Sequence, residues 1–405
     1  MFISQTRLPH VLAPNAYFST QQFQREQIAV LKPAWHAIGT INELKRNGDF
    51  ITRELFGYPI QVRNFDGELR VLSNICAHRH CLLTSKRCGN SAKMSCQYHG
   101  WEYGPDGKTR KIPQPKNFAP YPQESERIPL YRVDTCGQIV FVCLSANAAD
   151  LPEFLGDYRE IIEEKFGSRT KEFLRFDVDY AANWKVPVEN SLESYHVPNI
   201  HQQTFREDPG EERSTHVLSD RATAFGTALP FSPHSRIDAF FQRGEIAIVK
   251  MLGGTPAGEY WQHHLYPNLL LSFTDAISLL HCVIPTGPTT ATAIVRQFGN
   301  LGNSKWGPRR WTAVCWGKLK GAITKKIMTE DLGIIPDIQA GLEKSEQRGI
   351  LGRCEERIHA FQTFISERTV NQASADLAAD PQIAGQIRGA HPTNNPVTPA
   401  VRTSL

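Results

Sequence analysis

The sequence predicts an α+β protein: a small all-β unit, then a larger unit with an antiparallel sheet and helices. Between about Ala34 and Ser145, the segments "DFITREL", "YPIQVRNFDGELRVLSN" and "GQIVFVCLS" alternate or run apolar as strands do, with "NFDG" and "PDG" as turns. Beyond Asp177 a second strand set follows, "YPNLLLSF", "AISLLHCVIP" and "TATAIVRQFG". A long helical tract around 319–345 comes after it, and antiparallel strands followed by helices make an α+β domain.

Taken in order, Phe18 to Leu31 has helical character and leads into Pro33, so residues 1–33 form an N-terminal helical segment. The β unit is assigned to 34–150. Acidic "LPEFLGDYREIIEEKF", 151–166, is a helical connection that opens the second unit, 151–368. A helix is expected near 187–197, with Pro187 suited to a first turn and Val188, Leu192 and Tyr195 on one apolar face. Pro336 should kink or split the later helical tract. The last stretch, 369–405, is rich in Ala, Pro, Thr and Asn without a sustained apolar period, and is expected to be a disordered tail.

At 405 residues, 40% hydrophobic and 21% charged, the composition is that of a soluble globular protein. A net charge of +4 without a basic stripe interleaved with aromatics argues against nucleic-acid binding. No run of eighteen apolar residues marks a membrane span, and "MFISQTRLPHVLAPNAYF" lacks the pattern of a signal peptide, so a cytoplasmic location is expected. In that reducing compartment, clustered cysteine and histidine bind metal more often than they form disulfides.

Such a cluster is present in "NICAHRHCLLTSKRCGNSAKMSCQYHGWEYGPDG". Cys76 and His78 form C-x-H, and after seventeen residues Cys96 and His99 form C-x-x-H. Each loop offers one thiolate and one imidazole. A two-plus-two set suits a structural zinc, but zinc fingers usually pair like with like on each element. In a two-iron cluster one iron can take both thiolates and the other both imidazoles. The stretch resembles a Rieske [2Fe-2S] site, with structural zinc as the alternative.

Rieske subunits of cytochrome complexes add a disulfide beside the cluster. Here Cys81 fills one of its positions but Tyr98 fills the other, so that bridge is excluded. With "GWEY" after His99, the stretch instead resembles the Rieske domain of the ring-hydroxylating oxygenases. His80 is a departure, standing where those proteins usually have Gly. Cys81 and Cys88 read as small packing residues.

A second metal centre is then expected in "NWKVPVENSLESYHVPNIH", 183–201. Glu193 and His196 are three apart and would sit side by side on a helix. His201 is five beyond His196, about 140° around a regular helix, so both could reach one ion only if the helix ended between them. Pro198 offers that break. Two such imidazoles are two-thirds of a 2-His-1-carboxylate site for non-haem Fe(II). The resemblance supplies the third ligand as Asp331, because Gln339 lies eight beyond it and Gly341-Leu342 follow. Glu330, about 100° away, and Asp337 read as a solvated acidic helix face.

The resemblance runs from about Trp35 to Phe364. It implies a helix-grip (START-like) catalytic domain beside the Rieske domain, in a homotrimer with the possibility of a β subunit. Cys76, His78, Cys96 and His99 would hold one [2Fe-2S] cluster, and His196, His201 and Asp331 one mononuclear Fe(II). Glu193 would bridge His196 to His99 of the next subunit. Glu replaces the more frequent Asp there, a departure shared with some homotrimeric enzymes, several of which act on quaternary amines. The function implied is a terminal oxygenase that hydroxylates an organic, chiefly aromatic, substrate with O2. The alternatives are a quaternary-ammonium (choline-, carnitine- or betaine-like) monooxygenase, an O-demethylase, or a non-catalytic Rieske electron carrier with a ligand-binding domain. Electrons would come from NAD(P)H through a separate reductase, with or without a ferredoxin, since "MLGGTPAG" does not fit a dinucleotide fingerprint. Arg79, Lys86, Arg87 and Lys93 could dock that acidic partner.

Overall fold

The computed structural model describes residues 1–119, 127–232, 234–301 and 307–379. Two antiparallel sheets organise it. The first runs in the order His36–Thr40, Ile139–Cys143, Leu130–Cys136, Glu68–Ser73, Tyr58–Phe65, Asp49–Leu55, Cys88–Asn90. Hairpin turns close at Gly57 and Gly67, both at positive φ, which glycine adopts at no steric cost. A three-stranded sheet, Met94–Ser95, Glu102–Tyr103 and Thr109–Lys111, stands beside it.

The second sheet runs Thr170–Tyr180, Thr290–Asn300, Ile277–Gly287, Leu269–Phe273, Glu259–Leu265, Ala222–Ala228, Ser214–Leu218. Helices Arg236–Met251, Pro308–Leu332 and Glu356–Ala379 accompany it. Val283, Ile294 and Val295 of this sheet share one continuous buried core with Ile38, Val62 and Phe141 of the first. Fully burying each such side chain contributes about 1.5–3 kcal/mol.

Buried charge also joins the parts. Arg296, 1% exposed, faces Glu43 of the first unit and Asp177 of the second at 3.4 and 3.0 Å, and Arg53 reaches Asp177 at 3.5 Å. The N-terminal segment is tied down by Glu26, which accepts from Lys185 Nζ (2.7 Å) and Trp184 Nε1 (2.9 Å). Glu26 and Lys185 are both fully buried, so losing one partner costs about 3–5 kcal/mol. Gln339 accepts from Asn183 N at 2.9 Å and fixes the same junction. These contacts set where the segment 185–201 begins.

That segment differs from the expected single helix. Lys185–Ser191 is helical, residues 192–196 form turns, and a short helix Val197–Ile200 follows. Pro198 sits in the first turn of this second helix, where its missing N–H costs nothing, and so starts a helix where a break was expected. Pro336 does split the later tract, into Pro308–Leu332 and Ile335–Leu342. The N-terminal helix is Thr20–Glu26, capped by Ser19 Oγ accepting from Gln22 N, and continues as a wider turn through Leu31. The tail expected from 369 begins instead as the end of the helix Glu356–Ala379, whose Ile358, Phe361 and Ile365 pack into the core. Its remainder, 380–405, lies outside the described residues. Among those described, no helix is long and apolar enough to cross a membrane.

Candidate metal centres and the cavity beside them

The two cysteine-histidine loops fold alike. Cys76 N donates to Cys81 O (2.9 Å) and His80 N to Cys76 O (3.1 Å); Cys96 N donates to Trp101 O (2.8 Å) and Gly100 N to Cys96 O (3.0 Å). The fifth residue of each loop is left-handed, Gly100 at φ 71° and His80 at φ 59°. The backbone therefore keeps its course although His80 replaces the usual glycine, at the strain a side chain pays in that region. His80→Gly should relieve it. We expect Tm to rise by about 1–3 °C in calorimetry, the net of lost strain and added chain entropy.

Both thiols point inward, Cys76 at 2% and Cys96 at 4% exposure, whereas His99 is exposed. The rings of His78 and His99 meet edge to face with centroids 4.8 Å apart, and His78 stacks on Trp101. Tyr103 OH accepts from Ala77 N and shares a hydrogen bond with Cys76 Sγ at 3.0 Å. Burial raises the Cys76 thiol pKa, and nearby Cys96 adds to the rise. All nine cysteines are free, and Tyr98 lies over His99 with centroids 3.7 Å apart.

The second centre draws on three elements. His196 precedes the short helix Val197–Ile200 and His201 follows it, so one helical turn brings both imidazoles to one side. Their Nε2 atoms are 3.3 Å apart. Asp331 Oδ1, from the end of Pro308–Leu332, is 3.1 Å from His201 Nε2 and 3.6 Å from His196 Nε2. Each ring is held from behind by a glutamate. Glu193 Oε1 accepts from His196 Nδ1, Glu193 Oε2 accepts from His196 N at 3.1 Å, and Glu330 Oε2 accepts from His201 Nδ1 at 2.8 Å. With both Nδ1 atoms donating, both Nε2 lone pairs face a common point.

Glu330 is thus corrected. It is not part of a solvated face, because it is largely buried and accepts from His201 and from Thr204 Oγ1 (2.7 Å). Asp337 is exposed on the separate helix Ile335–Leu342, as expected of a solvated acid. Burial alone would lower the His201 pKa, but the Asp331 and Glu330 carboxylates outweigh it and the pKa is raised.

A cavity of about 250 Å³ opens from this centre. Alternate residues of successive strands face it, Tyr260 and Gln262, Leu270 and Ser272, Leu279 and His281, as the period of two requires. Lys320, Ile323, Thr324, Ile327 and Met328 face it from the helix, and Asp331 ends the same stripe. Phe205, Phe225 and Phe231 close the wall. Sequence reasoning missed His281, the aromatic wall and Arg357, which also lines the cavity.

Residues 34–122 match the Rieske [2Fe-2S] domain, and residues 168–370, half of the chain, match the ring-hydroxylating alpha subunit catalytic domain. The chain belongs to the Rieske oxygenase alpha subunits. It is 31% identical over 213 residues to the toluate 1,2-dioxygenase alpha subunit of Pseudomonas putida, covering 47% of this chain and 46% of that one. It is 24% identical over 342 residues to the carnitine monooxygenase oxygenase subunit of Escherichia coli strain K12, covering 83% and 85%. The chain spans about half the length of several curated relatives it matches. A quaternary ammonium Rieske monooxygenase has the same fold, at TM-score 0.68 and 20% identity over 90% of this chain and 95% of that one. Naphthalene 1,2-dioxygenase with indole bound has it too, at 0.67 and 16% over 91% and 95%.

The family's cofactors are a Rieske [2Fe-2S] cluster and a mononuclear non-haem iron, and the residues present fit both. Two buried thiols beneath two imidazoles nearer the surface are the donor set of a mixed-ligand cluster. At the second centre, ligands about 2.1 Å from one ion at right angles stand about 3.0 Å apart, near the observed 3.1–3.6 Å. Asp331 Oδ1 is buried there without a hydrogen-bond partner, as an atom reserved for a metal would be.

Proposed function

We propose that this chain is the terminal oxygenase component of a multicomponent system that hydroxylates an organic, chiefly aromatic, substrate. Cys76, His78, Cys96 and His99 hold the cluster, and His196, His201 and Asp331 hold the iron. When bound, these groups pass on electrons from NAD(P)H, delivered by a separate reductase, and activate O2. The protein's own part is orientation. Glu193 and Glu330 fix the tautomer and tilt of the two iron-binding imidazoles, and the aromatic wall of the cavity excludes water and receives an apolar body. The observation that carries the reading is the convergence of His196, His201 and Asp331 on one point at the edge of that cavity, in a chain that also has a Rieske domain.

A quaternary-ammonium substrate is the second reading. Glu193 in the usual Asp position favours it, as does the cluster of Phe225, Phe231 and Tyr260 with centroids 5.7–6.4 Å apart, since such rings can cage a cation. The working assembly is a cytoplasmic homotrimer, with or without a β subunit, in which each cluster serves the neighbouring iron. For reductase docking, Arg87 and Lys93 already pair with Asp179 and Glu102 of their own chain. Among the described residues Arg79 and Lys86 have no carboxylate partner, and Arg79 lies over the Tyr98 ring.

The test is oxygen uptake by purified protein with a surrogate reductase. Aromatic acids, hydrocarbons, aryl ethers and choline- or carnitine-like amines would be offered, and products identified by mass. We expect about three irons per chain and uptake coupled to product. Two irons and no uptake would favour a bare electron carrier. Cys96→Ala should lose the visible absorption of the oxidised cluster and retain about one iron; a full Rieske spectrum in that variant would refute the cluster assignment.

A further inference from the structure

One cation lining the cavity has no acid to neutralise it. Arg357, in the first turn of the helix Glu356–Ala379, is 1% exposed. Its Nε donates to Thr223 Oγ1 (3.2 Å) and its Nη1 to Gln262 Oε1 (2.9 Å) and Leu192 O (3.3 Å). Its Nη2 is buried and donates to nothing. Among the described residues, no carboxylate lies within 4 Å of this guanidinium. Arg296, equally buried, has Glu43 and Asp177, and Lys320, the other cation lining the cavity, has Glu245 at 3.4 Å.

A buried charge without a counter-charge is costly, and removing water from it lowers its pKa, here to about 10. Arg357 is therefore still a cation at neutral pH. Thr223, Gln262 and Leu192 hold it in one orientation through Nε and Nη1 and leave Nη2 without a partner. The acids lining the same cavity, Glu193 and Asp331, are both engaged with histidines. The site is thus short of one negative charge, and a charged guanidinium with an unpartnered N–H can donate to a carboxylate oxygen.

We propose that Arg357 pairs with a carboxylate of the substrate, so that the enzyme acts on an organic acid whose apolar body lies along Phe225, Phe231 and Tyr260. The inference rests on this cavity being the oxygenase's substrate pocket.

Calorimetric titration of the metal-loaded protein tests it. The probes are benzoate against benzamide, and glycine betaine against choline, each pair differing in the carboxylate. In at least one pair the acid should bind roughly 10- to 100-fold more tightly, as expected for a hydrogen bond to a charged group. Arg357→Gln should abolish that preference, and Arg357→Lys should keep part of it. No preference in either pair with the wild type, or an undiminished preference in Arg357→Gln, would overturn the proposal. The wild-type ratios decide even if the Gln variant does not fold. Binding is also read apart from turnover. Acid-selective binding without hydroxylation would sink the oxygenase reading and leave Arg357 in its role, and hydroxylation of neutral compounds without acid selectivity would do the reverse.

Discussion

Asp331→Ala should lose the mononuclear iron and all hydroxylation while the visible spectrum of the cluster stays intact. Three side chains converge on one point that could hold a metal ion, and a site with three protein ligands would have none to spare. The loss should exceed the roughly 10–100-fold in metal affinity that removal of an outer partner costs. Glu330→Gln supplies that smaller effect, because it keeps a hydrogen bond to His201 Nδ1 but takes away the charge behind it. Iron content after dialysis, set beside oxygen uptake, separates the two. If Asp331→Ala keeps its iron and its turnover, the carboxylate ligand is Glu330, whose Oε1 is also buried without a partner. Asp337 is no longer a candidate, since it lies exposed on the next helix.

The choice between Glu330 and Asp331 shows how far the sequence was readable. Asp331 could be picked out by its distance to Gln339, and the stripe Lys320, Ile323, Thr324, Ile327, Met328 also points to it, three or four residues at a time. The role of Glu330 was hidden because a neighbour 100° around the helix reads as solvent-facing unless one knows that His201 comes up from another element. Glu193 and His196 were paired correctly for a wrong reason. They meet across a turn, not along a helix, because the chain leaves its helix after Ser191. The strands Thr170–Tyr180 and Ala222–Ala228 and the helix Arg236–Met251 passed unnoticed, since long-range pairing and packing, more than local pattern, define such elements. Arg357 gave no local signal at all. In sequence it is one of 45 basic residues, and only the fold shows that no carboxylate among the described residues lies within 4 Å of it.

The second large effect concerns Glu193. Changing it to Gln should leave cluster and assembly intact and weaken iron binding as Glu330→Gln does, and, with iron restored to the wild-type level, slow electron delivery by roughly 10–100-fold, the range for loss of a carboxylate behind a metal-bound histidine. Both Glu193 oxygens already hold His196, one at its Nδ1 and one at its backbone N, and the side chain is 10% exposed. It therefore sets the ring's orientation whatever lies beyond it. A glutamine keeps the side chain's shape and one acceptor oxygen, which can still take the Nδ1–H, but its NH2 cannot accept from His196 N and the charge is gone, so an orienting role would survive in part. A bridging role would not, because the partner subunit's His99, exposed on the Rieske domain in a single chain, would face an amide in place of a carboxylate. The measurement is a single turnover with the cluster reduced beforehand. After substrate and O2 are added, the wild type should reoxidise and form product, while Glu193→Gln should stay reduced over the same interval. Wild-type reoxidation in the variant, with iron content equal, would confine Glu193 to orienting His196.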